Sequence, residues 1–357
     1  MAKNNCAASG RTVLVTRFSA LGDVAIAVPV LYPVCVANSD VNFVMLTRKG
    51  AAAGVMVNCP PNLTVVAADV KGEYRGLCGM WRLAARLRRD YGVTDVADLH
   101  SVMRSWAIDL SMALHGRRVA RLRKGRAQKR ALTSGSLRCQ LPTSHQRYRA
   151  VLGRLGLSMP ADHFASLAQY GPLPPGVLAR GEKPDGVRWI AIAPFSQHRG
   201  KVYPLPLMTK VIDALAAMPN VHLFLMGGGD SERRALDEIA ARHSGVATSI
   251  AGIKHGFADE YGLLSRCDVM LTMDSANMHL ASLVGLPAVS VWGATHPWCG
   301  FMGWNQSEGD AVQLDLPCRP CSVFGQKPCR LGDYRCLTGI DPNAVVQRVT
   351  NVMQRQK

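Results

Sequence analysis

Residues 268–297, DVMLTMDSANMHLASLVGLPAVSVWGATHP, gather small and polar residues at two points. Asp274, Ser275, Ala276 and Asn277 follow the apolar run 269–273, and Gly293, Ala294 and Thr295 follow a second run, 288–292. Residues 277–284 fit two helical turns, closed by Gly285 and stopped by Pro287. Strands joined through a helix lie parallel with a right-handed crossover, so both clusters reach one sheet edge beside the unpaired N–H groups of a helix N-terminus. There the helix dipole and the small residues make a cradle for an anion such as a diphosphate. Asp274 or Ser275 alone would serve only as a helix cap. The cluster as a whole, with His279 one turn into the helix and His296 past the second strand, points to a ligand site.

Two further residues could complete a reaction. Lys201 ends the loop PFSQHRGK (194–201), and Asp23 follows the tight turn 18–21. Inverting glycosyl transfer needs a carboxylate to take the acceptor hydroxyl's proton and positive groups to stabilise the departing diphosphate. Asp23 fits the base, although capping a helix is its competing role. Lys201 and the helix N-terminus at 275–277 fit the diphosphate, although a lysine outside such a loop is ordinarily a surface residue. No D-x-D motif occurs, so leaving-group stabilisation without a metal is the simpler scheme. Asp98 and His100, at the end of another apolar run, suit either substrate contact or a structural network.

The elements that must carry these residues alternate. Strands are expected at 11–17, 41–46, 63–67 and 93–99, with helices at 22–36 (interrupted by Pro29 and Pro33), 80–91, 105–114 and 147–156. Residues 170–186 are rich in Pro and Gly and read as a linker. A second series follows: strands at 189–193, 221–226, 246–250, 269–273 and 288–292, and helices at 207–218, 232–243, 259–267 and 277–284. The expected fold is α/β, two doubly wound parallel-sheet domains at 1–172 and 187–340, with a linker at 173–186 and a C-terminal helix at 341–357. Loops 196–201, 227–230 and 274–277 converge on one edge of the second sheet. The G-x-G-x-x-G fingerprint is absent, which disfavours a plain NAD enzyme.

The 357 residues carry 42 Lys and Arg against 25 Asp and Glu, a net charge of +17, which favours a polyanionic partner. The run 115–130 holds eight Lys or Arg and no acid, and is expected to face an anion. No aromatic residue interrupts it, so it lacks the stacking platform of a single-strand nucleic-acid binder. Residues 1–12 contain no apolar leader and no stretch approaches a membrane span, so a soluble cytoplasmic protein is expected. Of eleven cysteines, four form C-x2-C-x7-C-x6-C at Cys318, Cys321, Cys329 and Cys336, a spacing able to supply a structural zinc or iron site but lacking the second C-x2-C of the strongest zinc signatures.

Four ordered motifs, RFSALGDV (17–24), APFSQHRGKVYP (193–204), FLMGGGDSER (224–233) and DSANMHLASLVGLPAVSVWGATHP (274–297), resemble glycosyltransferase family 9, the ADP-heptose:lipopolysaccharide heptosyltransferases. The resemblance implies a GT-B fold of two facing Rossmann-like domains with a cleft between them. It also implies an inverting reaction with no catalytic cofactor, ADP-heptose as donor and a lipid A-linked core acceptor. On this resemblance Asp23 is the base and Lys201 the phosphate-loop lysine. Donor contacts fall on Ser196, Gln197, Asp230 or Glu232, Asp274, Ser275, Ala276, Asn277 and His279, with alanine at 276 where the family has glycine. Acceptor contacts fall on Arg48, Lys49, Asp98, His100 and Arg104. The expected location is the inner face of the inner membrane, held by peripheral electrostatic contact, with no nucleic-acid partner.

Overall fold

Short β-branched and leucine-rich runs punctuated by Gly, Pro and Asn become buried strands here because helices cover both faces of each sheet. The computed structural model describes residues 10–161, 163–176 and 181–355. The expectations about residues 1–9, including Cys6 and the lack of an apolar leader, lie outside them, as do 177–180 of the linker and 356–357 of the last helix.

The chain divides into two units, the first of residues up to Lys124 with Ser144–Pro172, the second of Gly125–Thr143 with residues from Leu173 onward. The first unit runs β1 (Thr12–Thr16), α1 (Leu21–Ala37), β2 (Asn42–Arg48), α2 (Ala51–Gly54), β3 (Leu63–Ala68), α3 (Gly76–Tyr91), β4 (Asp95–Asp98), α4 (Met103–Leu114) and β5 (Arg118–Arg121). Helix α5 (Arg126–Ser134) belongs to the second unit, and α6 (Ser144–Gly153) returns to pack on α1. The five strands are parallel in the order β3-β2-β1-β4-β5, with Val15 opposite Met45 on one side and Ala97 on the other. Leu14, Val44, Val96, Leu83, Leu87 and Ile108 join one core beneath α3 and α4.

The second unit continues with β6 (Arg188–Ala193), α7 (Leu205–Ala216), β7 (Val221–Leu225), α8 (Asp230–Arg242), β8 (Ala247–Ser249), α9 (Phe257–Leu264), β9 (Val269–Met273), α10 (Ala276–Leu283), β10 (Ala288–Val291), β11 (Ala311–Val312), α11 (Arg335–Thr338) and α12 (Pro342–Gln354). Its six parallel strands lie in the order β11-β10-β9-β6-β7-β8. The expected α/β class and doubly wound parallel sheets are thus present in both halves.

Three local expectations differ from the structure. Helix α1 is continuous through Pro29 and Pro33, because every residue from Val24 to Cys35 is buried and that packing outweighs the two lost backbone hydrogen bonds. The basic run forms β5 and opens α5; Arg118 bonds Asp95 and Arg121 bonds Asp109, while Arg117, Arg123, Arg126 and Arg130 are exposed. Its residues from Gly125 also group with the second unit rather than the first. The C-terminal helix is no appendage, since Val345, Val349 and Val352 enter the second core.

Candidate functional site

In each sheet the strand order reverses at one point, where the chain leaves two neighbouring strands toward opposite sides. In open α/β sheets that crevice at the carboxyl ends is where ligands bind. The reversal lies between β1 and β4 in the first unit and between β6 and β9 in the second. Asp23 follows β1, Asp98 and His100 lie at the end of β4, and Ser196, Lys201 and Asp274 follow β6 and β9, while Asp230 and Glu232 follow β7 and Arg48 and Lys49 lie at the end of β2.

In the second unit β9 ends at Met273 and delivers Asp274 to a buried position. Its Oδ2 accepts from Thr295 Oγ1 at 2.8 Å and pairs with Lys201 Nζ at 2.9 Å. Ser275 caps α10 by accepting from Asn277 N at 3.3 Å, and Ser196 Oγ donates to the Asp274 carbonyl at 3.3 Å. The loops after β6, β9 and β10 thus meet around one carboxylate, with an ammonium held beside the first turn of a helix. A phosphate placed there would meet Lys201 and the α10 amides. Ala276 and Asn277 are half-buried in that turn, His279 is buried one turn on, and Gln197 is exposed.

The glycine turn after β7 separates the two acids that sequence left as alternatives. Glu232 Oε2 accepts from Gly228 N at 2.8 Å and so shapes the turn, whereas Asp230 is 88% exposed and meets only Arg233, at 3.5 Å.

Sequence reasoning missed what holds Lys201. A Cβ on Gly325 would lie 2.6 Å from Lys201 Cγ, and one on Gly200 would lie 2.7 Å from the Gly325 carbonyl. Lys201 is therefore wedged against a backbone approach that only glycine permits at both places. Arg319, in the middle of the cysteine-bearing segment, is buried and donates to the carbonyls of Trp292, Gly293, Thr295 and Leu314. It fixes the end of β10 and hence the Thr295 hydroxyl that reaches Asp274. An arginine between two cysteines carries no sequence signal of such burial.

Cys318, Cys321, Cys329 and Cys336 line one cavity of about 60 Å³ next to Arg319. Among the described residues no three His, Cys, Asp or Glu side chains stand where they could hold a metal ion. As placed, the thiols do not fit the zinc or iron site that their spacing suggested. The segment braces the loop after β10: Cys321 N and Ser322 N both donate to the Ala294 carbonyl.

In the first unit Asp23 lies in the first turn of α1. Its Oδ2 accepts from Ala20 N at 3.0 Å, the cap-type bond, and pairs with Arg17 Nη2 at 2.5 Å, while 29% of its side chain stays exposed. Arg17 is buried and donates to the Leu99 carbonyl at 2.7 Å. Burial works against its charge, but Tyr148 and Asp23 outweigh it and raise its pKa. His100 Nδ1 accepts from Phe18 N at 3.3 Å, and burial, aided by Arg17, holds its pKa down to about 3. His100 is therefore a neutral acceptor that braces the Asp23 turn. Arg17, which orients Asp23, was not singled out by sequence, since a buried arginine following a strand resembles any strand-end basic residue.

Asp98 does not take the expected acceptor-contact role. It is fully buried and accepts from His100 N, Ser101 N and Ser105 Oγ at 2.8 to 2.9 Å, so it shapes the turn into α4. Arg48, Lys49 and Arg104 are exposed and open to an anionic ligand.

Beneath Asp98, burial and the neighbouring Asp98 charge raise the Asp109 pKa to about 7 despite its bond to Arg121. Between the unfolded value of about 4 and that folded value, the folded protein holds a proton that the unfolded chain releases, so this group's contribution to stability falls as pH rises. Asp109→Asn removes the effect. Its Tm relative to the parent protein is expected to increase as pH goes from about 5 to about 8. A pH-independent difference would contradict the assignment.

Residues 175–334 match the family model described as glycosyltransferase family 9 (heptosyltransferase). Lipooligosaccharide heptosyltransferase 2 of Campylobacter jejuni is 31% identical over 88 residues, 25% of this chain and 26% of that protein, so the match spans about a quarter of that relative. A glycosyl transferase family 9 structure from Veillonella parvula superposes with a TM-score of 0.72 at 16% identity, covering 99% of this chain and 100% of that one. The E. coli heptosyltransferase WaaC with ADP gives 0.66 at 17% identity, covering 96% and 99%. At these identities the structures establish the fold, and the resemblance to family 9 is borne out over residues 175–334.

Proposed function

We propose that this chain, whose residues 175–334 carry a glycosyltransferase family 9 domain, is an inverting, metal-independent glycosyltransferase that moves a heptose from ADP-heptose to a lipid A-linked core acceptor. The observation that carries the reading is the joint hold of Asp274 Oδ2 on Lys201 and Thr295 at the reversal point of the second sheet, beside the α10 N-terminus. Lys201 and the α10 amides would take the charge that builds on the departing ADP. Asp23 would accept the proton of the acceptor hydroxyl as its oxygen bonds the anomeric carbon and the bond from that carbon to the diphosphate oxygen breaks. Ser196 and Ser275 would contact the phosphates, and Glu232 would set the turn near the nucleoside. Arg48, Lys49 and Arg104 would meet the anionic acceptor. The commitment of Arg118 and Arg121 to buried aspartates weakens a nucleic-acid-binding reading based on net charge.

The catalytic unit is proposed to work at the inner face of the inner membrane, where a lipid-linked acceptor resides. Among the described residues no helix is long and apolar enough to cross a membrane.

A nucleotide screen by thermal shift tests the donor. A ligand that binds only the folded state stabilises it by about 2.7 kcal/mol at a hundredfold excess over its Kd. ADP and ADP-heptose are expected to raise Tm by several degrees while UDP and UDP-sugars leave it unchanged. A larger rise with UDP would replace ADP-heptose by a uridine donor.

A further inference from the structure

The outward face of α4 is largely apolar. Ser105, Asp109 and Ser111 share the buried face with Ala107, Ile108 and Met112, whereas Met103, Trp106, Leu110 and Leu114 lie outside, between 41% and 70% exposed. Their spacing of three, four and four residues places them in one stripe along the helix. Helix α3 packs beside α4, and Arg88 Nη1 donates to Ser111 Oγ at 3.2 Å, which marks the edge of α3 that adjoins α4. Leu77 and Trp81 lie on that same edge, eleven and seven residues before Arg88, and are also exposed. Six of the ten large apolar side chains exposed among the described residues therefore belong to this pair of helices.

The charge around the stripe is mostly positive, with Glu73 and Asp90 the exposed acids beside it. Residues 75–118 contain eight arginines and no lysine, and three of their four aspartates, Asp95, Asp98 and Asp109, are buried. The fourth, Asp90, is held by Arg86 and Arg89. Of the eight arginines, Arg75, Arg82 and Arg117 are exposed and have no carboxylate partner within salt-bridge distance among the described residues. Two tryptophans in an apolar strip bordered by arginines match an interface whose surface is anionic and whose interior is hydrocarbon. A second copy of this chain would bring an identical arginine rim against this one, which the charge opposes.

We infer that the α3–α4 face is a membrane-docking surface, which lays Trp81, Trp106 and Leu110 into the headgroup region of an anionic bilayer while the arginines meet lipid phosphates. The inference shares with the proposed function only a membrane-bound acceptor. Vesicle binding reads membrane contact without any donor, so the two can fail separately.

The test is flotation of the full chain with vesicles of phosphatidylcholine, with and without phosphatidylglycerol. The protein is expected to float with the anionic vesicles only, and less so as salt rises. The Trp106→Glu/Leu110→Glu variant should lose at least tenfold in vesicle affinity while keeping the parent Tm and ADP-induced thermal shift. Arg82→Ala, which leaves the apolar stripe intact, should weaken binding and flatten its salt dependence. Parent-like flotation of the double variant, or no flotation of the parent protein, would overturn the inference. So would a concentration-dependent dimer that the double variant abolishes.

Discussion

Asp23→Asn is expected to reduce transfer by about a thousandfold or more while leaving ADP binding intact. Positioned acid–base groups contribute on the order of 100- to 10,000-fold, and in the proposed reaction Asp23 also holds the hydroxyl in line. Asparagine separates the two roles that the structure gives this side chain. Its amide oxygen can still accept from Ala20 N and Arg17, so the first turn of α1 stays tied, but it cannot remove a proton. Asp23→Ala removes both roles and should lose the same activity and, in addition, stability, because Ala20 N loses its acceptor and buried Arg17 its carboxylate partner. Equal activity loss with unequal Tm loss identifies a base. Near-normal turnover in the asparagine variant would leave Asp23 a helix cap and nothing more.

The second large effect concerns Asp274. Its side chain is 4% exposed and that of Lys201 15%, so Asp274→Ala strands an ammonium in a largely dry site. Breaking such a pair from one side costs about 3 to 5 kcal/mol. It also frees the Thr295 hydroxyl, so loss of ADP binding and a large drop in Tm should arrive together. The double variant Lys201→Met/Asp274→Leu removes both charges and keeps the bulk that packs on Gly325. It should recover most of the stability and none of the ADP binding. If the double variant binds ADP as the parent does, the Lys201 loop is not the phosphate site.

The sequence carried the local parts of this account well. Residues 269–273 form the expected strand to the residue, and 277–284 came within one residue of α10, because Gly285 and Pro287 leave the chain few alternatives. What sequence could not carry was partnership at a distance. Lys201 and Asp274 are far apart in the chain, and their pairing depends on β6 lying beside β9. The sequence leaves Asp98 open between substrate contact and a structural network, and its acceptor role comes from the family resemblance. The turn that follows folds its carboxylate inward to collect backbone N–H groups instead.

Buried arginines were the systematic omission. Arg17 and Arg319 each hold a loop at a strand end by donating to backbone carbonyls, yet arginine in a sequence reads as solvent-exposed by default. The cysteine segment carries a second role that sequence did not show. Its spacing suggested metal ligands, while its clearest structural effect is to press Gly325 against Lys201 and Arg319 against the end of β10. The apolar face of α4 was legible only as a helix, because an apolar period does not say which side meets the sheet.

The most direct test of the central claim is the release of ADP from ADP-heptose by the purified chain with and without a lipid A-linked core acceptor, followed by mass analysis of the lipid. Acceptor-dependent ADP release, matched by a lipid one heptose heavier, is the predicted result. No acceptor-dependent release, or an unmodified lipid alongside equal turnover of a uridine-linked sugar, would contradict it.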